Sequence, residues 1–476
     1  MRTNLLRAQF GLALRASVLV ALLGLCAAAF CADPDPPARV PRFSDFPFDQ
    51  WAAAPDHSAI KWEVHLLPPV LSPHQRLLQR IQVVVPGSEL EKRRGSGEIV
   101  VLARFEDSDG RQWRTANRLN LANVQPGVKS QELTFTLTAF VRPGSYRVLV
   151  ALAFHKAGES GEMEHNFTRR SLHVAAIRND PLPEAWQSLP PVEVLPPVDG
   201  ADAWFLPDVK GRQSLPLKGT APQIDLLVNM TPSERSSNGA SAQRRNMASV
   251  IPALKVLSDL NAATRPPSFA AIDLTHHRIG YETRNAAALD WRALAKALTD
   301  NNPGIIDAKS LAAQASIRDY FAREMARRAG ASGPPRWLII LSGPMAFFGQ
   351  EETPLPELPP DPNRHIVYLR FSGGFGGMGG RGPGRSGPGG PAGIGPDVRI
   401  APTERIHGPM PGFPMIIPGG PGRGGGGMDA AFPDDLERVL KPMGARVIPI
   451  ATPEIFRKVL ALLMQDIAGG GERAAQ

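Results

Sequence analysis

Short apolar and β-branched runs, separated by turn residues, fill the chain between residues 60 and 178. Two of the turns have a physical cause, because Gly110 and Gly144 accept a positive φ and Pro143 fixes its own. No run with a helical period interrupts the series. Strands this short and this regularly spaced predict an antiparallel β-sandwich. The predicted strands are 62–66, 78–85, 98–105, 132–138, 146–154 and 167–174.

The pattern changes after residue 222, where strand-like and helix-like runs alternate. Ile224–Val228 is apolar at nearly every position, which predicts a central parallel strand buried on both faces. The alternation predicts right-handed crossovers and a doubly wound α/β sheet. The later predicted strands are 269–274, 279–283, 337–343, 365–371 and 446–450. The first predicted helix ends at about 261, and the later helices cover 291–298, 308–328, 434–443 and 453–467.

Polar residues follow the opening strand at every second position, as Asn229, Thr231 and Ser233. Ser342 follows the buried run that begins at Trp337. In open α/β sheets, ligands bind beyond the carboxyl ends of the strands. The four polar residues therefore predict a ligand loop at this edge of the sheet.

This loop resembles the metal-adhesion loop of von Willebrand factor A (VWA) domains, Asp-x-Ser-x-Ser. The order of elements from about 221 to 469 also matches that family. Asn229 stands in place of the Asp, and Leu341-Ser342-Gly343 stands where the family has Thr-Asp-Gly. A Pro-rich run, 351–362, replaces the helix after the second buried strand. The resemblance implies a VWA-like fold with a degenerate motif, and recognition of a protein or a cell-surface ligand.

The altered loop changes the expectation for metals. Mg²⁺ and Ca²⁺ require oxygen ligands, usually with carboxylates that offset the charge. Asn229, Thr231, Ser233 and Ser342 offer neutral oxygens only. We therefore expect no metal or other cofactor, with Mg²⁺ or Ca²⁺ as the alternative. Without a metal, these side chains satisfy backbone groups at strand ends or cap the next helix.

Catalytic motifs are absent from the sequence: it contains no Gly-x-Ser-x-Gly, no His-Glu-x-x-His and no phosphate-binding loop. The pair His276-His277 predicts an exposed turn rather than a metal pair, because no third ligand is near in the sequence and adjacent residues of a strand face opposite ways. We therefore expect no enzyme activity.

The chain holds 46 Gly and 48 Pro, which is high for a globular protein. Many of the glycines lie in 372–428, which predicts a disordered insert in the α/β domain. The insert leaves the same sheet edge as Asn229, so we expect it to modulate binding there. A second Pro-rich stretch, 179–221, predicts a stiff linker that holds two domains apart or lies along one of them.

Arg2, Arg7 and Arg15 precede an apolar run, 16–30, that ends in small residues, which is typical of a signal peptide at 1–32. An uncleaved membrane anchor and a lipoprotein are the alternatives. Both cysteines of the chain, Cys26 and Cys31, lie in this region, so no internal disulfide is expected in the mature protein. We expect a periplasmic or secreted protein without a transmembrane segment.

The net charge of +8 is concentrated in arginines of the predicted signal and insert, and it indicates weak attraction to anionic surfaces more than a nucleic-acid site. The predicted organisation is an extended lead-in at 33–58, a sandwich of immunoglobulin or fibronectin type at 59–178, the linker, a VWA-like domain at 222–469 and a tail at 470–476. This predicts a binding or scaffold protein. The alternatives are an envelope assembly or secretion accessory whose sandwich makes the contacts, and an enzyme acting on cell wall or polysaccharide.

Overall fold

The structure is a computed structural model that describes residues 43–54, 56–95, 97–155, 163–195, 209–217, 222–231, 239–261, 265–300, 316–330, 335–347, 358–371, 398–402 and 434–469. The chain forms two compact units, Met1–Gln50 and Trp51–Gln476. In the first unit, Phe43–Asp45 forms a turn of 3-10 helix, and the rings of Phe43 and Phe48 lie 4.6 Å apart. The predicted signal peptide and tail lie outside the described residues. None of the described helices is long and apolar enough to cross a membrane.

The described strands, in chain order, are β1 (Glu63–Leu66), β2 (Val70–Leu71), β3 (Leu77–Pro86), β4 (Glu98–Asp107), β5 (Gln112–Asn120), β6 (Gln131–Val141), β7 (Gly144–His155), β8 (His165–Val174), β9 (Val192–Val194), β10 (Leu215–Pro216), β11 (Gln223–Asn229), β12 (Leu260–Asn261), β13 (Ser268–Asp273), β14 (Arg278–Thr283), β15 (Arg336–Ser342), β16 (Arg364–Phe371), β17 (Val398–Pro402) and β18 (Arg446–Ile450). The described α-helices are α1 (Phe48–Ala53), α2 (Gly87–Arg93), α3 (Gly239–Ser258), α4 (Trp291–Asp300), α5 (Ile317–Ala329), α6 (Asp435–Leu440) and α7 (Pro453–Ala468).

Two antiparallel sheets form a β-sandwich. One sheet has the order β5-β4-β7-β8, and the other has the order β1-β3-β6-β17, with β2 beside β3 and β9 beside β6. Alternate residues of β3, β4, β6 and β7 enter one core, because successive side chains of a strand point to opposite faces. Val83, Val101, Phe135 and Val150 are fully buried members of that core. This confirms the predicted sandwich, while its assignment to the immunoglobulin or fibronectin type stays a prediction.

A third sheet has the order β14-β13-β11-β15-β16-β18. All its neighbouring pairs are parallel except β13 with β14, which is antiparallel. Ile224, Leu226 and Val228 of β11 share a core with residues of α3 and α7. Leu227, from the opposite face of β11, shares a second core with residues of α5 and α6. The central strand is therefore covered on both faces, and its carboxyl end, Asn229, lies between the ends of β13 and β15.

The predicted linker 179–221 is more structured than its proline content suggests. Trp186 and Val192 enter the sandwich core, and β9 pairs with β6. Leu215 and Leu217 enter the core of the parallel sheet, and β10 pairs with β12. The described parts of this stretch therefore pack on both neighbours, because its few apolar residues anchor it. Residues 196–208 and 218–221 lie outside the described residues.

Three further differences separate the prediction from the structure. The polar strand β5 and the short helix α2 were not predicted. Within the predicted disordered insert, β17 pairs antiparallel with β6 of the sandwich. The prediction of disorder is therefore wrong for these five residues, while 372–397 and 403–428 lie outside the described residues. The helix predicted over 308–328 is described as α5 from Ile317, and 308–315 lie outside the described residues.

Candidate functional site

The parallel sheet brings two of the predicted site residues together. Asn229 ends β11 and Ser342 ends β15, and these strands are paired up to Val228 and Leu341. Asn229 Nδ2 donates a hydrogen bond to Ser342 Oγ at 3.0 Å. Both residues are 2% exposed. The pairing that the sequence predicted by position is therefore a direct contact.

Thr231 belongs to the same cluster. Its backbone N–H donates to Asn229 Oδ1 at 3.0 Å, and its Oγ1 accepts from the N–H of Leu274 at 2.8 Å. Ser342 Oγ in turn donates to the carbonyl of Gly343 at 2.7 Å. These side chains thus satisfy backbone groups at the ends of β11, β13 and β15. The fourth predicted residue, Ser233, lies outside the described residues.

Two further residues of this edge were missed from the sequence. The hydroxyl of Tyr368, on β16, lies 3.1 Å from both the carbonyl of Gly343 and Asp434 Oδ2. Asp434 Oδ1 accepts from the N–H of Met345 at 3.2 Å. In the sequence, the Asp434-Asp435 pair indicates only the start of a helix, because acidic residues favour the first turn.

The electrostatics of Asp434 and Tyr368 reflect their burial. Desolvation raises the pKa of Asp434 above its ordinary value, although Met345 N–H, Tyr368 and Arg370 favour its charged form. Desolvation and the nearby Asp434 raise the pKa of Tyr368 well above its ordinary value. Tyr368 therefore stays protonated and can donate to the carboxylate.

A charged rim lies beside this buried cluster. Arg370 Nη1 donates to Glu437 Oε2 at 2.7 Å and lies 4.0 Å from Asp434 Oδ2. The side chain of Arg370 is 35% exposed, so it is within reach of solvent and of a partner. The carboxyl edge thus combines a buried polar centre with a partly exposed ion pair between Arg370 and Glu437.

The neighbouring strand end carries a second polar group. Asp273, which ends β13 and is 1% exposed, accepts from Arg278 Nε at 3.3 Å and lies 2.6 Å from His276 Nδ1. His276 is exposed, as predicted, whereas the half-buried ring of His277 stacks on Tyr320 at 4.9 Å. The predicted exposed turn is thus correct for the first histidine and incomplete for the second.

The described polar atoms of this edge have hydrogen-bond partners within the protein. The neutral oxygens of Asn229, Thr231 and Ser342 already bond to one another or to the backbone, and the carboxylate of Asp434 is held by Met345 and Tyr368. A hard cation needs free oxygens and compensating negative charge. No group of three or more His, Cys, Asp or Glu suited to a metal occurs among the described residues.

Comparison with known proteins gives little further information. No family model and no curated protein matches the chain. Among solved structures, a mutant of the PilB minor pilin from Streptococcus sanguinis is 6% identical over 86% of this chain and 88% of its own, with a TM-score of 0.22. A glycosyl hydrolase family 2 member from Bacteroides cellulosilyticus is 12% identical over 66% of this chain and 35% of its own, with a TM-score of 0.18. These TM-scores are too low to support a conclusion about fold or function.

Proposed function

We propose that this chain is an exported, non-enzymatic binding or scaffold protein whose parallel sheet belongs to a doubly wound, VWA-like domain. Its ligand, a protein or a cell-surface component, binds at the carboxyl edge of that sheet without a metal ion. The proposal of export is based on the signal peptide predicted at 1–32. The VWA-like assignment is supported by the strand order and by the helices on both faces of β11.

One observation carries the metal-free part of the proposal. The hydrogen bond from Asn229 to Ser342 joins the two positions at which the VWA family has acidic residues. A neutral amide and a neutral hydroxyl satisfy each other there, so the edge is stable without a cation. Arg370 and its ion-pair partner Glu437, on the accessible rim, are the charged residues that a partner would meet.

The direct test is thermal unfolding with and without Mg²⁺, Ca²⁺ or Mn²⁺. A ligand that binds only the folded state stabilises it by RT ln(1 + [L]/Kd), about 2.7 kcal/mol at 100 times Kd. We expect no change in Tm with any of the three ions. A reproducible rise with one of them would overturn the metal-free proposal.

A gain-of-function variant tests the VWA-like geometry itself. In the double variant Asn229→Asp, Ser342→Asp, we expect a lower Tm without metal, because buried carboxylates are placed side by side. We expect Mg²⁺ or Mn²⁺ to restore part of the loss. The double variant Asn229→Ala, Ser342→Ala is the control, and its Tm should not respond to either ion. A double Asp variant that also ignores both ions would argue against a VWA-like edge.

The burial of the edge favours a second candidate, an envelope accessory whose sandwich makes the contacts. Asn229, Thr231 and Ser342 are at most 4% exposed, so a partner would touch only their surroundings. Capture of envelope components by two charge-reversal variants separates the proposals. Loss of capture with Arg370→Glu supports the sheet edge, and loss with Arg170→Glu, on the exposed face of β8, supports the sandwich.

A further inference from the structure

The edge of β6 that faces away from β3 is covered by strands from two distant parts of the chain. On one side, β6 pairs with β3 along almost its whole length. On the other side, β9 covers Ala139–Val141 and β17 covers Gln131–Phe135. An uncovered edge would present unpaired N–H and C=O groups to any passing strand. The position of β17 therefore closes a strand-addition site on the sandwich.

β17 does not come from the sandwich itself. It lies between β16 and α6, two elements of the parallel sheet region, and reaches the sandwich from the insert. The stretches 372–397 and 403–433 connect it to those elements. An extended chain spans up to about 3.3 Å per residue, so the length of these connections does not confine β17 to its own sandwich.

The register of β17 on β6 pairs its residues with core positions of the sandwich. Val398 is the partner of Phe135, and Ile400 is the partner of Leu133. Both β6 residues are fully buried members of the sandwich core. This register places residues 398 and 400 of the strand opposite two core positions of β6.

Two features favour dissociation of β17 from β6. It is only five residues long, and its Pro402 has no backbone N–H to donate to the ladder. It is also the last strand of its sheet, with no described strand on its outer side. Few hydrogen bonds therefore hold it to β6.

We propose that the β6 edge at Gln131–Phe135 is a strand-exchange site, and that its partner is β17 of a second copy of this chain. The exchanged strand would make the same register of contacts as the resident strand, which is the reason that swapping of identical elements is an economical route to dimers. The resident strand competes at an effective concentration in the millimolar range, so the dimer forms as the protein concentration rises. This inference is independent of the VWA-like proposal, because it depends only on the sandwich edge and the insert.

The first experiment tests whether the edge accepts a strand from outside. In an empty-edge variant, a Gly-Ser segment of equal length replaces Val398–Pro402; the same replacement at 410–414 is the matched control. A fluorescent peptide of residues 396–404 is titrated into each protein and followed by anisotropy. We expect it to bind the empty-edge variant roughly tenfold or more tighter than the control or wild-type protein, in which the tethered strand competes. A folded empty-edge variant that binds the peptide no better than a scrambled peptide overturns the proposal.

The second experiment tests the partner. Sedimentation of the wild-type protein up to about 1 mM, the range of the tethered competitor, should show a dimer that increases with concentration. The dimer should be lost in the empty-edge variant and in the single variant Ile400→Asp, which changes only the exchanged strand. A wild-type protein that remains monomeric, or a dimer that persists in both variants, overturns strand exchange between copies.

Discussion

At the scale of single residues, burial decides the role of the polar side chains at the sheet edge. A buried N–H that loses its acceptor costs about 1–3 kcal/mol. Thr231 prevents such a loss, because its hydroxyl accepts from the N–H of the fully buried Leu274. Asn229 does the same for the N–H of Thr231. The residues that look like ligands in the sequence thus hold three strand ends in place.

Replacement of Thr231 by Val tests this role, since the two side chains have nearly the same shape. We expect the free energy of unfolding to fall by about 1–3 kcal/mol, because the N–H of Leu274 is left buried without its acceptor. Urea unfolding followed by tryptophan fluorescence measures the change. The control is Thr136→Val on β6, where a half-buried surface position should change stability by about 0.5 kcal/mol or less. Equal effects in the two variants would show that the Thr231 bond contributes nothing specific.

At the scale of elements, hydrophobic periodicity predicted the strands that supply the cores. It missed β5, because Thr115 and Asn117 of this strand are polar although both are buried. That strand is fixed by its nine-residue pairing with β4, which no local pattern displays. Likewise β17 is too short and too isolated in Gly/Pro-rich sequence to be recognised before its partner is known.

The closing helix α7 shows an element that local chemistry does specify. Thr452 Oγ1 accepts from the N–H of Ile455 at 3.3 Å, and Pro453 occupies the first helical position. We expect Thr452→Ala to lower the free energy of unfolding by about 0.5–2 kcal/mol. Thr452→Ser keeps the hydroxyl and should retain most of the stability. If Ser destabilises as much as Ala in chemical unfolding, the cap is not the cause.

At the scale of the whole molecule, a buried ion pair ties the sandwich side of the second unit to α7. Arg457 donates to both carboxylate oxygens of Asp180, at 2.6 and 2.8 Å. Trp186 Nε1 also donates to Asp180 at 2.6 Å. Gln75, two residues before β3, donates to the carbonyl of Pro453 at 3.0 Å. Of the two predictions for the Pro-rich stretch, these contacts favour the one in which it lies along its neighbours.

The ion pair predicts a particular dependence of stability on pH. Burial alone raises the pKa of Asp180, but the hydrogen bonds from Arg457, Trp186 and the N–H of Leu182 outweigh it, so the pKa lies below its ordinary value of 3.8. The stabilisation is therefore complete above pH 3.8 and is lost as the pH falls through the folded-state pKa. We expect Asp180→Asn to remove this part of the pH dependence of the free energy of unfolding. Denaturant unfolding at a series of pH values, from neutral pH down to below the pKa of Asp180, measures it. An unchanged pH profile would contradict the role of the pair.

Removal of the cation is the complementary test. In Arg457→Met, Asp180 keeps its burial but loses its counter-charge, and breaking a buried pair in this way costs about 3–5 kcal/mol. The double variant Asp180→Leu, Arg457→Met should recover much of that loss, because no unpaired charge remains. Denaturant unfolding of the three variants at neutral pH measures the coupling. A single variant as stable as the wild-type protein would show that the pair does not hold the two regions together.

The sequence by itself determined the elements whose pattern is local. The apolar run of β11, the strand patterns of β3, β6 and β7, and the helical period of α7 all follow from the spacing of apolar side chains. It also determined that Asn229 and Ser342 stand at strand ends on one edge, since parallel strands end together. It could not show that Tyr368 and Asp434 complete that edge, because Asp434 is brought there from far along the chain.

Only the tertiary structure decided how the parts join. The ion pair of Asp180 with Arg457, the packing of the Pro-rich stretch on both cores and the docking of β17 on β6 depend on contacts between residues distant in sequence. Such contacts follow from the shapes of surfaces that exist only after folding, and no period or local motif encodes them. For the same reason, only the structure shows that Asn229 bonds to Ser342 and that Thr231 accepts from the N–H of Leu274.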